Sequence, residues 1–190
     1  MSLDELYRDV ILDHYSRPRN RGVAHPADTT REGANPLCGD EIRVSLRVRD
    51  GVVEDVRFDG KGCSISQASA SMMTEQIKGK PVADAKRLIA AFKAMMHTPP
   101  GTDPAAAAEL GDLVALSGVR KFPVRVKCAT LSWITLEMAL DELGLSKPDE
   151  GPAGGTRPAA PHGTAPQARD LTAGGKDATA DGGSHVHRIR

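Results

Sequence analysis

Three cysteines are the residues of this sequence best suited to metal or sulfur chemistry. Cys38 lies in a stretch rich in Gly, Pro and Asn, Cys63 follows Gly60-Lys61-Gly62, and Cys128 stands where the last apolar helical pattern begins. A single cysteine is most often a small buried hydrophobe, but three at predicted element boundaries favour a functional role. So few cysteines, odd in number, do not make a disulfide framework, so we expect free thiols in a reducing cytoplasm.

Cys63 and Cys128 are both predicted to open a helix. The first turn of a helix presents unpaired N–H groups and the positive end of the helix dipole. We therefore expect both thiols to be shifted toward the thiolate, which is the form that binds metals and attacks sulfur.

Asp40 follows Cys38 by two residues, with Gly39 between them. In an extended loop both side chains can turn toward one metal, although a Cys-Gly-Asp triplet alone also fits a turn or a helix cap. Three thiolates and one carboxylate suit a tetrahedral Zn²⁺ site. The paired Cys-x-x-Cys pattern of zinc knuckles is absent, so spacing alone predicts only a metal or thiol site.

The first half of the chain predicts a helix followed by a β-hairpin. Apolar residues recur at helical spacing over residues 2–15, and residues 19–37 have no period and are predicted to be a loop. Residues 42–49 alternate strictly between apolar and polar, Asp50-Gly51 suits a tight turn, and residues 52–58 supply a return strand. The sheet is therefore predicted to be antiparallel.

The second half is predicted to be mainly helical. We expect helices over about 65–77, 88–96, 105–110 and 129–143, with an extended segment at 121–124 leading to Cys128. Gly144 suits a helix stop. The fold class predicted is α+β, with a small antiparallel sheet of about three strands packed against several helices.

Composition changes abruptly beyond Lys147, where Gly, Ala, Pro and Thr dominate. Such a segment buries too little apolar surface to offset the entropy of ordering it. We therefore predict a domain over residues 1–147 and a disordered tail over 148–190, in which His185 and His187 are solvated.

The overall composition excludes two classes of partner. Lys and Arg number 25, as do Asp and Glu, so no net charge attracts nucleic acid. No apolar run approaches the roughly 20 residues that cross a bilayer, and the opening MSLDELYRDV lacks the pattern of a secretion signal. We expect a soluble cytoplasmic protein.

Three separated segments carry a family resemblance. Asn35-Pro36-Leu37-Cys38-Gly39-Asp40, the segment from Phe58 to Ser66 and Val126-Lys127-Cys128-Ala129-Thr130 resemble the metal-site motifs of the NifU/IscU scaffold superfamily, and Leu6 to Asn20 resembles its opening helix. The resemblance covers nearly all of residues 1–147. It implies a SufE/NifU-like fold and the metal ligands Cys38, Asp40, Cys63 and Cys128.

Two features resemble the SufU branch of that superfamily. IscU-type members carry a histidine before the third cysteine, where this chain has Lys127, and residues 96–118 resemble an insertion found in SufU-type members. The resemblance implies a zinc-dependent sulfur acceptor in iron–sulfur cluster assembly. Its partners are then a SufS-type cysteine desulfurase and downstream SUF assembly proteins.

Two other functions remain open at this stage. The same ligands suit a scaffold that builds a [2Fe–2S] cluster with iron, or a structural zinc module that only binds partners. For the sulfur acceptor, Cys38 is the predicted reactive residue, because its loop should move more freely than a helix start. The SufU resemblance points the same way.

Basic residues flank the third cysteine. Arg125 resembles a basic residue of SufU-type sequences, and it and Lys127 would either lower the pKa of the thiols or meet an acidic rim on the desulfurase. Solvated surface charges are an equally good explanation. His14, His25 and His97 lack metal-motif neighbours, so we predict no role for them at the site.

Overall fold

A computed structural model describes residues 3–102 and 107–145 of the chain. Its elements, in order, are α1 (Leu3–Ser16), β1 (Thr29–Asn35), β2 (Asp40–Arg49), β3 (Val52–Lys61), α2 (Ser64–Ile77), α3 (Val82–His97), α4 (Ala107–Leu110), a 3₁₀ helix (Gly111–Lys121) and α5 (Pro123–Glu142). The predicted α+β class, with a three-stranded antiparallel sheet and several helices, is confirmed.

The β2–β3 hairpin forms as its sequence predicts. Asp50 and Gly51 both have positive φ, at 49° and 74°, which is the conformation of a two-residue hairpin turn. The alternation of β2 places Ile42, Val44 and Leu46 in the core. This face of the sheet packs against α5.

Strand β1 corrects the prediction of a loop over residues 19–37. Its sequence, TTREGAN, has no apolar alternation, and backbone pairing with β2 defines it instead, ending at the pair Asn35 and Asp40. Helix α5 crosses this strand at Gly33, where an added Cβ would lie 2.2 Å from Thr135 Oγ1. Glycine is therefore required for the contact.

Helices α2 and α5 form the centre of the molecule. The Ser69 hydroxyl of α2 donates to the carbonyl of Ala129 (2.6 Å) and accepts from Nε1 of Trp133 (3.1 Å). The Trp133 ring stacks on Phe92 of α3, with centroids 4.2 Å apart. These buried contacts fix α5 against its neighbours directly beside Cys128.

The start of α5 corrects a second prediction. Residues 121–124 were expected to be extended, but the helix begins at Pro123, the first helical position, where the missing N–H costs no hydrogen bond. Cys128 consequently lies in the second turn of α5, not at its start. The helix ends at a Gly144 with φ of 72°, and the N–H of Leu145 reaches the Leu140 carbonyl, as predicted for a glycine stop.

The predicted tail lies outside the described residues, so the boundary at residue 147, the disorder of 148–190 and the solvation of His185 and His187 stay predictions. The predicted helix at 105–110 is described from Ala107 onward. Within 3–102 and 107–145, no helix is long and apolar enough to span a membrane.

Candidate metal centre

Four elements deliver the predicted ligand residues to one end of the sheet. Cys38 lies in the loop between β1 and β2, and Asp40 is the first residue of β2. Cys63 is the N-cap of α2, as predicted, and Cys128 is buried in α5. The loop, the strand end and the two helices must all be in place for these side chains to meet.

The side chains do converge. The sulfurs of Cys38 and Cys128 are 3.1 Å apart, and these two sulfurs and a carboxylate oxygen of Asp40 all lie within 4.8 Å of one another. The Cys63 sulfur stands at the edge of this group, 4.0 Å from Oδ2 of Asp40. We call these four residues the cysteine cluster.

Asp40 joins the two halves of the cluster. It is only 1% exposed, and its Oδ1 accepts a hydrogen bond from the backbone N–H of Cys63 (2.8 Å). A Cβ on Gly62 would lie 2.6 Å from the same oxygen, so a side chain there would displace the carboxylate. One oxygen thus anchors α2, and Oδ2 faces the Cys63 sulfur.

Cys128 occupies the most enclosed position of the cluster. Burial, reinforced by Cys38 and Asp40, raises the pKa of its thiol well above the usual range. This is the opposite of the helix-start effect that the sequence predicted, because Cys128 lies within the helix. A nearby cation is therefore needed for this sulfur to be a thiolate at neutral pH.

Of the two flanking basic residues, only Arg125 contacts the cluster. Interaction of its guanidinium with the Cys63 sulfur, together with the neighbouring charges of Cys128 and Cys38, raises the pKa of Arg125. Lys127 is exposed and forms no ion pair with any described residue. The two residues therefore differ in their surroundings.

The donor set fits a zinc ion. Zn²⁺ takes thiolate and carboxylate ligands in a tetrahedron, and Zn–S bonds of about 2.3 Å place neighbouring ligand atoms roughly 3.7 Å apart. The measured separations of 3.1 and 4.0 Å bracket this value. The buried Asp40 and Cys128 would each gain a counter-charge from such an ion.

The three described histidines, His14, His25 and His97, lie outside the group of side chains that is close enough to bind a metal. His14 is buried and hydrogen-bonds to the hydroxyl of Ser71 (2.9 Å), whereas His25 and His97 are exposed. Among the described residues, the group close enough to bind a metal contains no histidine.

The sequence analysis missed two residues that shape the cluster. Asn35 donates from its amide to the Cys128 sulfur (3.4 Å), and Gly62 makes room for Asp40. Their positions within the motifs that carry Cys38 and Cys63 were the available signal. Neither asparagine nor glycine has a side chain that commonly binds zinc, so residue type alone did not point to these two positions.

Exposed apolar side chains neighbour the cluster residues along the chain. Leu37 is 65% exposed beside Cys38, and Phe122 and Val124 are exposed in the approach to Cys128. A groove of about 730 Å³ opens alongside, between α1 and the 3₁₀ helix, and Arg125 lines it. This side of the molecule offers apolar area and positive charge together.

Comparison with known proteins shows which family this chain belongs to. The NifU-like N-terminal domain family matches residues 6–129. The zinc-dependent sulfurtransferase SufU of Bacillus subtilis is 50% identical over 136 residues, covering 72% of this chain and 90% of that protein. The iron–sulfur cluster assembly scaffold protein IscU of Streptococcus pyogenes is 39% identical over 138 residues, covering 73% of this chain and 84% of that protein.

A solved structure has the same fold as this chain. A protein described as an iron–sulfur cluster assembly scaffold for the SUF system, from Fervidobacterium islandicum, superposes with a TM-score of 0.65 at 34% identity, covering 73% of this chain and 99% of that one. The predicted resemblance is confirmed: this chain belongs to the NifU-like N-terminal domain family.

Proposed function

We propose that this protein is a zinc-dependent sulfur acceptor for iron–sulfur cluster assembly, with Cys38 as the acceptor and Cys38, Asp40, Cys63 and Cys128 as metal ligands. The observation that carries the proposal is the convergence of Cys38, Asp40 and Cys128 within 4.8 Å, with Cys63 at their edge. The 50% identity to the Bacillus subtilis sulfurtransferase supports the same function.

The sulfur step is a thiol exchange. The Cys38 thiolate attacks the outer sulfur of a persulfide carried by a cysteine desulfurase, a new S–S bond forms on Cys38, and the desulfurase cysteine leaves as a thiolate. No oxidant is needed, because the donor S–S bond breaks as the new one forms. Zinc, when bound, would keep the sulfurs ionised at neutral pH and protect them from oxidation.

Accessibility supports Cys38 as the acceptor. The side chains of Cys38 and Cys63 are both partly exposed, whereas Cys128 is buried inside α5. Of the two exposed sulfurs, that of Cys38 lies in a short loop and that of Cys63 is fixed at the helix cap of α2. A donor persulfide has to reach the attacked sulfur within bonding distance, which excludes direct attack by Cys128.

The surroundings of the cluster support a protein partner. We propose that a SufS-type desulfurase docks over Leu37, Phe122 and Val124, whose exposed apolar surface would be buried in the complex. Arg125, which is exposed beside the cluster, would face an acidic rim on that partner. Lys127, exposed and unpaired among the described residues, adds to the same positive charge.

The decisive experiment combines sulfur transfer with metal analysis. Purified full-length protein is incubated with a SufS-type desulfurase and cysteine, and persulfides are located by mass spectrometry. We expect one zinc per chain and a persulfide on Cys38, and we expect Cys38→Ala to abolish stimulation of the desulfurase. A persulfide confined to another cysteine in the wild type would reject the assignment.

A second function, assembly of a [2Fe–2S] cluster on the same ligands, is favoured by the identity to IscU scaffolds. Anaerobic purification separates the two. One tightly held zinc supports the acceptor, whereas iron with acid-labile sulfide supports the scaffold. The residue before Cys128 is a lysine, so this position adds no imidazole nitrogen to the cysteine cluster, and the metal-binding group found among the described residues contains no histidine.

A structural zinc module is the least consistent function. Such a module unfolds without its metal, but this domain has a continuous apolar core running through the sheet, α2, α3 and α5. We therefore expect Cys38→Ala to remain folded and inactive. Loss of its cooperative thermal transition would instead favour a structural role.

A further inference from the structure

Asn35 contacts both cysteines of the closest pair in the cluster. It is 5% exposed and ends β1, immediately before the loop that carries Cys38. Its backbone carbonyl accepts from the N–H of Cys38 (3.2 Å), and its Oδ1 accepts from the N–H of Leu37 (3.3 Å). Its Nδ2 donates to the Cys128 sulfur (3.4 Å).

The orientation of this amide is fixed by its partners. The N–H of Leu37 can only donate, so the side-chain oxygen of Asn35 must face it. The amino group then necessarily faces the Cys128 sulfur. Pairing of Asn35 with Asp40 across the β1–β2 ladder holds the residue in this position.

The two adjacent sulfurs therefore have different surroundings. Within the described residues, the Cys128 sulfur receives a side-chain N–H, whereas the hydrogen-bond contact of the Cys38 sulfur is with Cys128 alone. An N–H donor stabilises negative charge on a thiolate and draws electron density from it, which lowers its nucleophilicity. No such side-chain N–H reaches the Cys38 sulfur among the described residues.

We propose that Asn35 is a positioning residue that holds Cys128 as the fixed member of the cluster and leaves Cys38 as the exchangeable one. Two N–H···O bonds of 3.2 and 3.3 Å, at the long end of the usual range, tie the Cys38 loop to Asn35, and these are the bonds that must break when Cys38 leaves the cluster. The hydrogen bond to Cys128 stays in place when the loop moves. This inference rests on the proposed function, since it assigns the reactive cysteine of that site.

Two variants test the inference in the full-length protein with Co²⁺ in place of zinc. Asn35→Ala removes every side-chain contact, whereas Asn35→Asp keeps an oxygen for Leu37 and puts a carboxylate oxygen, which carries negative charge, in place of the N–H donor. We expect the sulfur-to-cobalt charge-transfer band to move to longer wavelength in Asn35→Ala, because a thiolate without its hydrogen bond gives up electrons more easily, and to move further in Asn35→Asp, because the carboxylate repels the charge of the sulfur. A wild-type spectrum for either variant would overturn the inference.

A zinc-exchange measurement completes the test. Zinc transfer to a chromophoric chelator should be 10- to 100-fold faster in Asn35→Ala, the usual effect of removing a group that supports a metal ligand. An exchange rate equal to that of the wild type would contradict the proposal.

Asn20→Ala is the matched control. The Asn20 amide donates to the Thr74 hydroxyl (3.3 Å), away from the sulfurs, and its φ of 53° makes alanine strained there. Asn20→Ala therefore removes an amide and destabilises the fold, but it leaves the residues of the cysteine cluster unchanged. If Asn20→Ala changes the cobalt band and the zinc exchange rate as much as Asn35→Ala does, the changes reflect general destabilisation and the inference is overturned. Absence of persulfide on wild-type Cys38 would reject the proposed function, while the cobalt band still decides the role of Asn35.

Discussion

The two sides of the cysteine cluster are built in different ways. On one side, Cys38 projects from a short loop with an exposed Leu37, and two N–H groups of this loop donate to Asn35, one to its carbonyl and one to its side-chain oxygen. On the other side, Cys128 lies within a 20-residue helix, fully buried and backed by the Ser69 and Trp133 contacts. One sulfur can be displaced while the opposite sulfur stays where the core holds it.

The largest expected difference is between Cys38→Ala and Cys128→Ala. Water can replace the partly exposed Cys38 as a fourth ligand, but the enclosed position of Cys128 admits none. We expect the loss of zinc affinity, measured by competition with a chelator, to be at least about tenfold greater for Cys128→Ala. Equal losses would show that the two sides are equivalent.

Gly62→Ala tests the carboxylate that joins the two sides. The new Cβ would lie 2.6 Å from Oδ1 of Asp40 and force it away from the Cys63 N–H. We expect zinc affinity to fall roughly 10- to 100-fold. Gly118→Ala, where a Cβ meets nothing within 4 Å, is the control and should bind zinc normally.

Ser69→Ala weakens the helix side without touching a ligand. It leaves the buried Nε1 of Trp133 without its acceptor, so we expect the free energy of unfolding to fall by about 1–3 kcal/mol in urea denaturation. Sulfur acceptance at Cys38 should persist. A drop in acceptance without a drop in stability would mean that Ser69 acts on the site directly.

Gly39→Ala strains the loop side. Gly39 has a φ of 66° with open space around its Cα, so the cost is conformational only, about 1 kcal/mol in the same denaturation experiment. We expect zinc exchange to accelerate more than it does in Ser69→Ala, since the strain falls on the loop. The reverse order would contradict the comparison.

The smallest expected effect concerns His14, which lies outside the cluster between α1 and α2. Burial, together with Arg19, lowers the pKa of His14, so the unfolded chain binds the proton more readily. Stability from the neutral form is complete above the unfolded value of about 6.5 and is lost as the pH falls below it. His14→Gln should remove that part of the pH dependence of the thermal midpoint in chelator-treated protein. An unchanged pH profile would show that His14 does not contribute.

Regular patterns made much of the fold predictable. The alternation of β2, the Asp50-Gly51 turn and the Gly144 stop follow from local rules, and the structure confirms each. Strand β1 was missed because its polar residues give no alternation and its order comes from pairing with β2. Side-chain alternation does not predict a strand such as β1, which is held by backbone hydrogen bonds to its neighbour.

The candidate site was predictable by residue type but not by surroundings. Cys38, Asp40, Cys63 and Cys128 were named from their motifs, and the structure brings their side chains together. The position of Cys128 was misjudged because residues 121–124 were expected to be extended, whereas Pro123 starts a helix. Sequence separation also hid the Asn35 amide, which meets Cys128 only after the sheet and α5 have packed.

The bond between Asp40 and the backbone of Cys63 has a consequence for how the protein is reused. It joins the sheet to α2 through protein atoms alone, so it needs no ion to form. The domain can therefore keep its architecture while a cysteine of the cluster takes up sulfur and passes it on. A carrier that cycles many times needs that property, because each round of sulfur transfer then leaves the same folded receptor ready for the next.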